Sequence, residues 1–583
     1  MKTQLVEMLR HAVGVLQKDP MFSSLDVKQI SIFKNKHPTF GDYASNLALA
    51  LAKQQGCAPK DLAEHIVKNL PDNPEVSKVE IAANGFINFH VKHTTRHAVI
   101  NTILQQAGDY GKPKLEKSQR INLEFISANP TGPLHIGHGR TAIFGSTLAN
   151  LLAFAGSTVE KEYYVNDFGR QIDILSVSVF LRYLALHQHV IEFPASCYKG
   201  DYVKDMACLI DEKNPNIKEK ALLEIHQSIS KINNTADDAY IDKVIFTVKQ
   251  KLDKSYEWLR DFCVNFVLDG IKADLGSLNI NFENWFLESQ LAKQGAISAA
   301  IKLLQDKNLT YVEDGATWFA SSKFGDDKDR VLIRANGNTT YFASDAAYLI
   351  NKFKRGFDKI IYIFGSDHHG YVPRLRALMQ AFSIPQEFCH ILLIQFATLY
   401  ENGNKMQMST RSGEFVTLSE LEKEIGKDAM RIFYMLRKPE QHLEFDLAIA
   451  KEQSIKNPVY YLQYAYARIC SVFKKLKNDA LEFDKKIAYE NLELLDGDLE
   501  NNLMDKMTDF PEVVLTSAQR FAPHFLVNYL RELVQMFHSY YNQQRFIVEN
   551  TKLRNVRLLF LQAIRQVLIN GFMILSITAL EVM

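Results

Sequence analysis

Residues 121–152 read I-N-L-E-F-I-S-A-N-P-T-G-P-L-H-I-G-H-G-R-T-A-I-F-G-S-T-L-A-N-L-L. The β-branched and aromatic residues of Ile121 to Ile126 predict a strand, and Thr141 to Leu152 predicts a helix. A strand, a glycine-containing turn and a helix present backbone N–H groups and a positive dipole end to a phosphate. His135 and His138, three apart, fall together on the first helical turn. There they can donate hydrogen bonds to a polyphosphate whose charge shifts during reaction. Gly137 lets a flat base lie against the backbone.

The same alternation continues outward. Strands are expected at Ile121–Ile126, Thr158–Tyr164, Lys359–Phe364 and Ile391–Phe396, the last two apolar on both faces as buried parallel strands are. Between the second and third lies a long insertion, whose charged stretch Asp211 to Asp253 predicts a solvated helical excursion. Its Thr310–Thr340 section predicts antiparallel strands with a turn at Asn336-Gly337-Asn338. The fold class is therefore α/β, a Rossmann-like doubly wound catalytic domain at 118–400 with insertions at about 190–340.

An N-terminal α+β domain is expected at 1–110, with helices at Leu5–Leu16 and Tyr43–Leu51 and strands at Val27–Phe33 and Val79–Val91. Asp42 is placed near the N-cap of the second helix, and Gly85 at a turn into a strand. Residues 401–455 form a loop and connecting region, and 456–583 an all-α bundle with aromatic, leucine and arginine residues at helical spacing.

At 583 residues the chain exceeds a single core, and a net charge of +1 excludes the global basicity of DNA-coating proteins while leaving room for local basic surface. Its six cysteines are scattered without a C-x-x-C pair, which argues against a disulfide framework or a zinc site and fits a reducing cytosol. Met1 to Gln17 has mixed charge and no apolar core of a signal peptide. The most apolar stretch, Val567 to Leu580, is too short to span a bilayer and reads as a buried last helix. The expectation is a cytoplasmic monomer with no membrane or DNA partner.

Asn129-Pro130-Thr131-Gly132-Pro133-Leu134-His135-Ile136-Gly137-His138 resembles the HIGH signature of class I aminoacyl-tRNA synthetases. The longer string Glu124 to Arg140 resembles its arginyl-tRNA synthetase version. Other segments are similar to that family: Gly41-Asp42-Tyr43 and Gly85-Phe86-Ile87-Asn88 in the N-terminal domain, thought to touch the tRNA elbow, Asp428-Ala429-Met430-Arg431 before an anticodon-binding bundle, and the ending Ala579 to Met583.

The resemblance implies that L-arginine and ATP, with Mg2+, form arginyl-adenylate, and that the arginyl group passes to the 2′-OH of the terminal adenosine of tRNA(Arg). It implies guanidinium contacts from Glu288, Tyr341 and Asp345, with Glu124, Asn129 and His368 around the α-amino and carboxylate groups. A guanidinium indeed needs carboxylates placed for forked hydrogen bonds. It places ATP against Pro130, Gly132, His135, Gly137, His138, Gly365, Asp367, Met408 and Ser409. No metal-ligand set stands out in the sequence.

The family's mobile KMSKS loop matches Lys405 to Gly413, but Gln407 and Thr410 stand where lysines are usual. Lys405 or Arg411 then supplies the positive charge, with Ser409 assisting. Tyr460, Tyr464, Arg468 and Met583 are the expected tRNA contacts, although the tyrosines can equally pack the bundle. Two other readings stand beside this one. A different class I synthetase is disfavoured by the missing Cys/His set and by the paired acids. An inactive tRNA-binding homologue is suggested by the degenerate loop and disfavoured by the intact His135, Gly137, His138 and Asp345.

Overall fold

The computed structural model describes residues 1–25, 30–35, 38–113, 117–213, 219–232, 237–401, 404–405 and 416–583. They form two compact units, one of Met1–Tyr110, Val472–Asp509 and Met536–Val567, the other of Gly111–Ser471, Phe510–Gln535 and Leu568–Met583. The helices of 456–583 are thus shared between the two.

In the larger unit the predicted alternation becomes a five-stranded parallel sheet. Its strands are β1 (Arg120–Phe125), β2 (Thr158–Val165), β3 (Asn284–Leu287), β4 (Lys359–Gly365) and β5 (Cys389–Ile394), in the order β3-β2-β1-β4-β5. The strand order reverses between β1 and β4, where open α/β sheets bind ligands. Strand β3 was not anticipated, because four residues are too few to display a period.

Alternate strand residues face opposite sides. Phe125 lies beneath α1 (Ile136–Phe154), so closely that a Cβ on Gly145 would sit 2.3 Å from its ring. On the other side, Ile360 and Tyr362 of β4 pack with Ala343, Ala346 and Leu349 of α3 (Tyr341–Lys354) and with Leu375 and Leu378 of α4 (Tyr371–Ala381).

The helical excursion is present as Glu219–Ser230, Asp237–Leu252 and Lys254–Ser277. It is latched to α2 (Arg170–Leu186), where Arg170 pairs with Asp238 and Asp242. Asp173 of α2 accepts from Lys249 Nζ and the Tyr256 hydroxyl, each at 2.7 Å. The antiparallel section is also present, Thr310–Glu313, Ala316–Phe319 and Arg330–Ile333, closed by a turn in which Gly337 takes φ +81° and Arg334 N donates to Asn338 O at 2.8 Å.

In the smaller unit four antiparallel strands run in the order Ile32–Lys34, Tyr43–Ser45, Ile87–Val91, Val76–Ile81. The helix expected at Tyr43–Leu51 is corrected: Tyr43–Ser45 is a strand, and the helix runs Leu47–Gln55 after Asn46. Asp42 caps nothing there; its carboxylate accepts Val91 N at 2.7 Å and pairs with Arg96. The expected strand at Val27–Phe33 is Ile32–Lys34, with 26–29 outside the described residues.

The last apolar stretch also needs correction. Helix Thr551–Leu575 is long and apolar enough to cross a membrane by length and composition, yet most of it is buried inside the protein. Burial against other helices accounts for its composition without a bilayer.

Arg431, fully buried, donates to Leu278 O at 2.7 Å, Ser146 Oγ at 3.2 Å and Leu575 O at 3.3 Å. An unmet buried acceptor costs about 1–3 kcal/mol. Arg431→Met is therefore expected to lower unfolding stability by about that amount per orphaned carbonyl, read as a lower urea midpoint.

Candidate active site

Every candidate residue of the sheet lies at the carboxyl end of a strand. After β1 the chain turns through Ile126 (φ +70°) and Ser127 (φ +42°), a conformation strained for a β-branched residue. Local bonds hold it: Ser127 Oγ donates to Glu124 Oε1 at 3.2 Å and accepts from Tyr164 N at 3.1 Å, and the Tyr163 hydroxyl donates to Ala128 O at 2.9 Å. Asn129 Nδ2 donates to Gln171 Oε1 at 2.7 Å, and Pro130 is buried.

His135 is the N-cap of α1. Its Nδ1 accepts Gly137 N at 3.1 Å, while His138 Nδ1 accepts His135 N at 3.3 Å. An Nδ1 that accepts leaves the proton on Nε2, so each ring offers an Nε2–H donor. The rings stack with centroids 3.8 Å apart. Burial lowers the pKa of both, that of His138 to about 3 with His135 reinforcing it, so both are neutral at physiological pH.

What lies beside Gly137 is the His135 ring, whose Cε1 would be 2.8 Å from a Cβ there. Glycine accommodates this fold-back, which a side chain would block. Arg140 anchors the helix from below, its guanidinium donating to Gln395 O, Gln441 O and Lys438 O at 2.7–2.8 Å.

The two acids singled out in the sequence lie near enough to feel each other's charge. Glu288, 7% exposed, opens helix Glu288–Lys293 directly after β3. With its amide oriented to satisfy both ends, Asn166 donates to Glu288 Oε2 at 3.1 Å. Burial raises the Glu288 carboxyl pKa, Asp167 adds to this, and hydrogen bonds from Ser344 and Tyr164 oppose it. Asp345 sits in the second turn of α3; enclosure pushes its carboxyl up to about 7. The Tyr371 hydroxyl bond and Arg374 pull down, and Glu288 and Glu124 push up. Tyr164 feels Glu288, Asp345 and Glu124 together.

Glu124 is already engaged. Its Oε2 takes Lys352 Nζ at 2.6 Å and the Tyr348 hydroxyl at 2.7 Å, leaving Oε1 with Ser127. Lys352, fully buried, also lies 3.3 Å from Glu162, which pairs with Arg355 at 2.5 Å. Burial alone would raise the Glu162 carboxyl, but Lys352, Arg355 and Tyr348 outweigh it and bring it to about 2. Sequence reasoning missed this network, although a lysine inside the apolar run of α3, seven residues after Asp345, was its visible trace.

Tyr341 is the first residue of α3 and 56% exposed, with its hydroxyl next to Gly169. Asp367 and His368 are exposed after β4. Asp367 Oδ1 folds over Gly365, where a Cβ would come within 2.5 Å, and His368 Nε2 is 3.6 Å from Asp367 Oδ2.

Lys405 is exposed at the end of the short strand Asn404–Lys405; Met408, Ser409 and Arg411 lie outside the described residues. Tyr460 and Tyr464 stack at 5.8 Å, and Arg468 lies 4.5 Å over Tyr464, a half-buried ladder along one helix face. Met583 is exposed. Thr578, near it in sequence, is tied down by donating its N to Asp428 Oδ2 at 3.1 Å. Among the described residues, no three His, Cys, Asp or Glu side chains converge as metal ligands.

A stacked histidine pair at a helix start, with two neighbouring carboxyls on a parallel sheet, is the layout of a class I tRNA synthetase. The family model described as tRNA synthetases class I (R), catalytic domain, matches residues 99–456. Those described as arginyl tRNA synthetase N terminal domain and DALR anticodon binding domain match 1–91 and 462–583. The chain belongs to the arginyl-tRNA synthetase family.

It is 46% identical to the arginine–tRNA ligase of Legionella pneumophila (strain Corby) over the full length of both. It is 44% identical to that of Coxiella burnetii (strain CbuG_Q212), covering 100% of this chain and 99% of the relative. The solved structure of a putative arginyl-tRNA synthetase from Campylobacter jejuni superposes with a TM-score of 0.72 at 30% identity, covering 85% of this chain and 100% of the other. The Thermus thermophilus arginyl-tRNA synthetase shares the fold over the full length of both, at a TM-score of 0.74 and 21% identity.

Proposed function

We propose that this chain attaches L-arginine to tRNA(Arg), forming arginyl-adenylate from ATP and then transferring the arginyl group to the 2′-OH of the terminal adenosine. The observation that carries the reading is the pairing of Glu288 and Asp345. Two enclosed carboxyls with raised pKa values invite a cation that restores their charged forms. The guanidinium of arginine meets that need, with Tyr341 at the pocket mouth.

In the first step the arginine carboxylate attacks the α-phosphorus of ATP in line and pyrophosphate departs. Its α-amino and carboxylate groups are assigned to Asn129, His368 and the remaining Glu124 oxygen. The neutral His135 and His138 would donate Nε2–H bonds to the phosphates as charge moves onto the leaving group. Pro130, Gly132, Gly137, Gly365 and Asp367 would frame the nucleotide. Met408 and Ser409 complete that set, with Lys405 or Arg411 supplying positive charge. No enzyme nucleophile is needed, since positioning and charge stabilisation suffice.

Mg2+ would enter held by phosphate oxygens and water, as it commonly does; no step is assigned to a protein-bound metal. Residues 1–110 would meet the tRNA elbow, and Tyr460, Tyr464, Arg468 and Met583 the anticodon loop, the stacked tyrosines offering faces to unstacked bases. A cytoplasmic monomer completes the proposal; none of the six cysteines forms a disulfide.

The test is arginine-dependent ATP–pyrophosphate exchange with and without tRNA(Arg). Exchange is expected with tRNA present. Its absence while tRNA still binds would instead mark an inactive tRNA-binding homologue. The carboxyl pKa values add a pH prediction. Arginine binds the ionised Asp345, so KM for arginine is flat above pH about 7 and rises toward tenfold per unit below it. KM for ATP should not follow in the same way, because burial lowers the pKa of both histidines, that of His138 to about 3.

A further inference from the structure

The turn that leads into the histidine pair is gripped from outside the sheet. Tyr202, on helix Asp201–Cys208, donates its hydroxyl to Thr131 O at 2.7 Å. Its ring is seated between two glycines. A Cβ on Gly200 would lie 2.5 Å from Tyr202 Cε1, and a Cβ on Gly132 would lie 3.0 Å from the Tyr202 hydroxyl oxygen. Tyr198, four residues earlier, hydrogen-bonds the Thr131 side chain. Tyr198 is itself fixed, its N donating to Oγ of the fully buried Ser178 at 3.0 Å.

Gln171 takes the Asn129 amide at 2.7 Å. It stands on α2 between Arg170 and Asp173, the two residues that latch the helical excursion. Three side chains from α2 and the segment after it thus hold Asn129, Thr131 and Gly132. Both tyrosines keep part of their surface exposed.

We infer that Tyr202, with Tyr198, is a positioning residue for the nucleotide: it holds the 129–132 turn at the height from which His135 and His138 meet the phosphates. A hydroxyl on a backbone carbonyl fixes one peptide plane, and a misplacement of about 1 Å can reduce a rate by about 10². Tyr202 touches no substrate; it acts through Thr131 and Gly132. The inference rests on the proposed adenylation reaction.

The experiment is arginine-dependent ATP–pyrophosphate exchange of the full chain with tRNA(Arg), for wild type, Tyr202→Phe, Gly132→Ala and the double variant, with a melting curve for each. Wild-type exchange is the control that separates failure of the functional reading from failure of this one. Tyr202→Phe keeps the ring and removes the grip. The expected result is a KM for ATP raised about five- to tenfold, a KM for arginine within twofold and an unchanged melting temperature.

Gly132→Ala drives a methyl toward the Tyr202 hydroxyl. Removing that hydroxyl eases the contact, so the double variant should lose less than the two single losses combined, a non-additivity that marks direct coupling. An unchanged KM for ATP in Tyr202→Phe would overturn the inference. So would equal rises in both KM values with a lowered melting temperature, which mark a merely structural tyrosine, or strictly additive effects in the double variant.

Discussion

Asp345→Asn is expected to lower kcat/KM for arginine by a factor between about 10² and 10⁴, the equivalent of the roughly 3–5 kcal/mol lost when one partner of a buried ion pair is removed. The loss should appear mainly in KM for arginine, with KM for ATP unchanged, in exchange assays that vary each substrate in turn. Stability should move the other way. The carboxyl pKa lies near 7 in the fold, above its ordinary value of 3.8. The stability it contributes is therefore fully present below pH 3.8 and lost as pH rises through 7. At pH 8 the free enzyme carries the whole burden of a confined carboxylate, and the asparagine removes it. The variant should melt no lower than wild type at pH 8 while failing to saturate with arginine. An unchanged arginine KM would sink the assignment of this pocket.

His138→Asn should cost the chemical step about 10²–10³ in rate, the usual effect of deleting one preorganised donor to a developing charge. The asparagine amide oxygen can still accept His135 N, as His138 Nδ1 does at 3.3 Å, but nothing reaches the Nε2 position. His138→Gln reverses the trade, restoring a donor near Nε2 at the expense of the capping bond, and should retain more activity. The loss should fall in kcat of exchange, with arginine KM within about twofold. If both variants lose equal activity, the ring serves the helix start and not the phosphates.

How much of this was legible depended on how local the physics is. β1, its turn and α1 could be read because strand, punctuation and helix follow one another within 34 residues, Ile121 to Phe154, and each leaves a periodic trace. That the sheet is parallel and doubly wound followed from the alternation; its strand order did not. Strand β3 escaped because it is four residues long and its identity as a strand rests on pairing with the distant β2, as in Tyr163↔Trp285.

The misassigned Tyr43–Ser45 strand has the same origin. It runs straight into the Leu–Ala repeat of a helix, and only its pairing with Ile32–Lys34 and Ile87–Phe89 makes it a strand. Within the site, Glu288, Asp345, His135 and His138 were visible as residue types suited to the chemistry. Tyr348, Tyr371 and Tyr202 were not, since nothing in their surroundings distinguishes a tyrosine that holds a catalytic group from one that fills a core.

The smaller compact unit is assembled from distant parts of the gene product: residues up to Tyr110 close only with 472–509 and 536–567. Within it His97 Nε2 meets Leu495 O at 3.0 Å and the Tyr110 hydroxyl donates to Met507 O at 2.8 Å. On the ribosome the N-terminal stretch therefore emerges long before its counterparts. At about 5–20 residues per second it spends tens of seconds with these apolar edges bare. Such a nascent chain is a natural client for holding chaperones, and synonymous changes that slow translation between these segments should lengthen that exposure and lower the soluble yield without altering one residue of the finished enzyme.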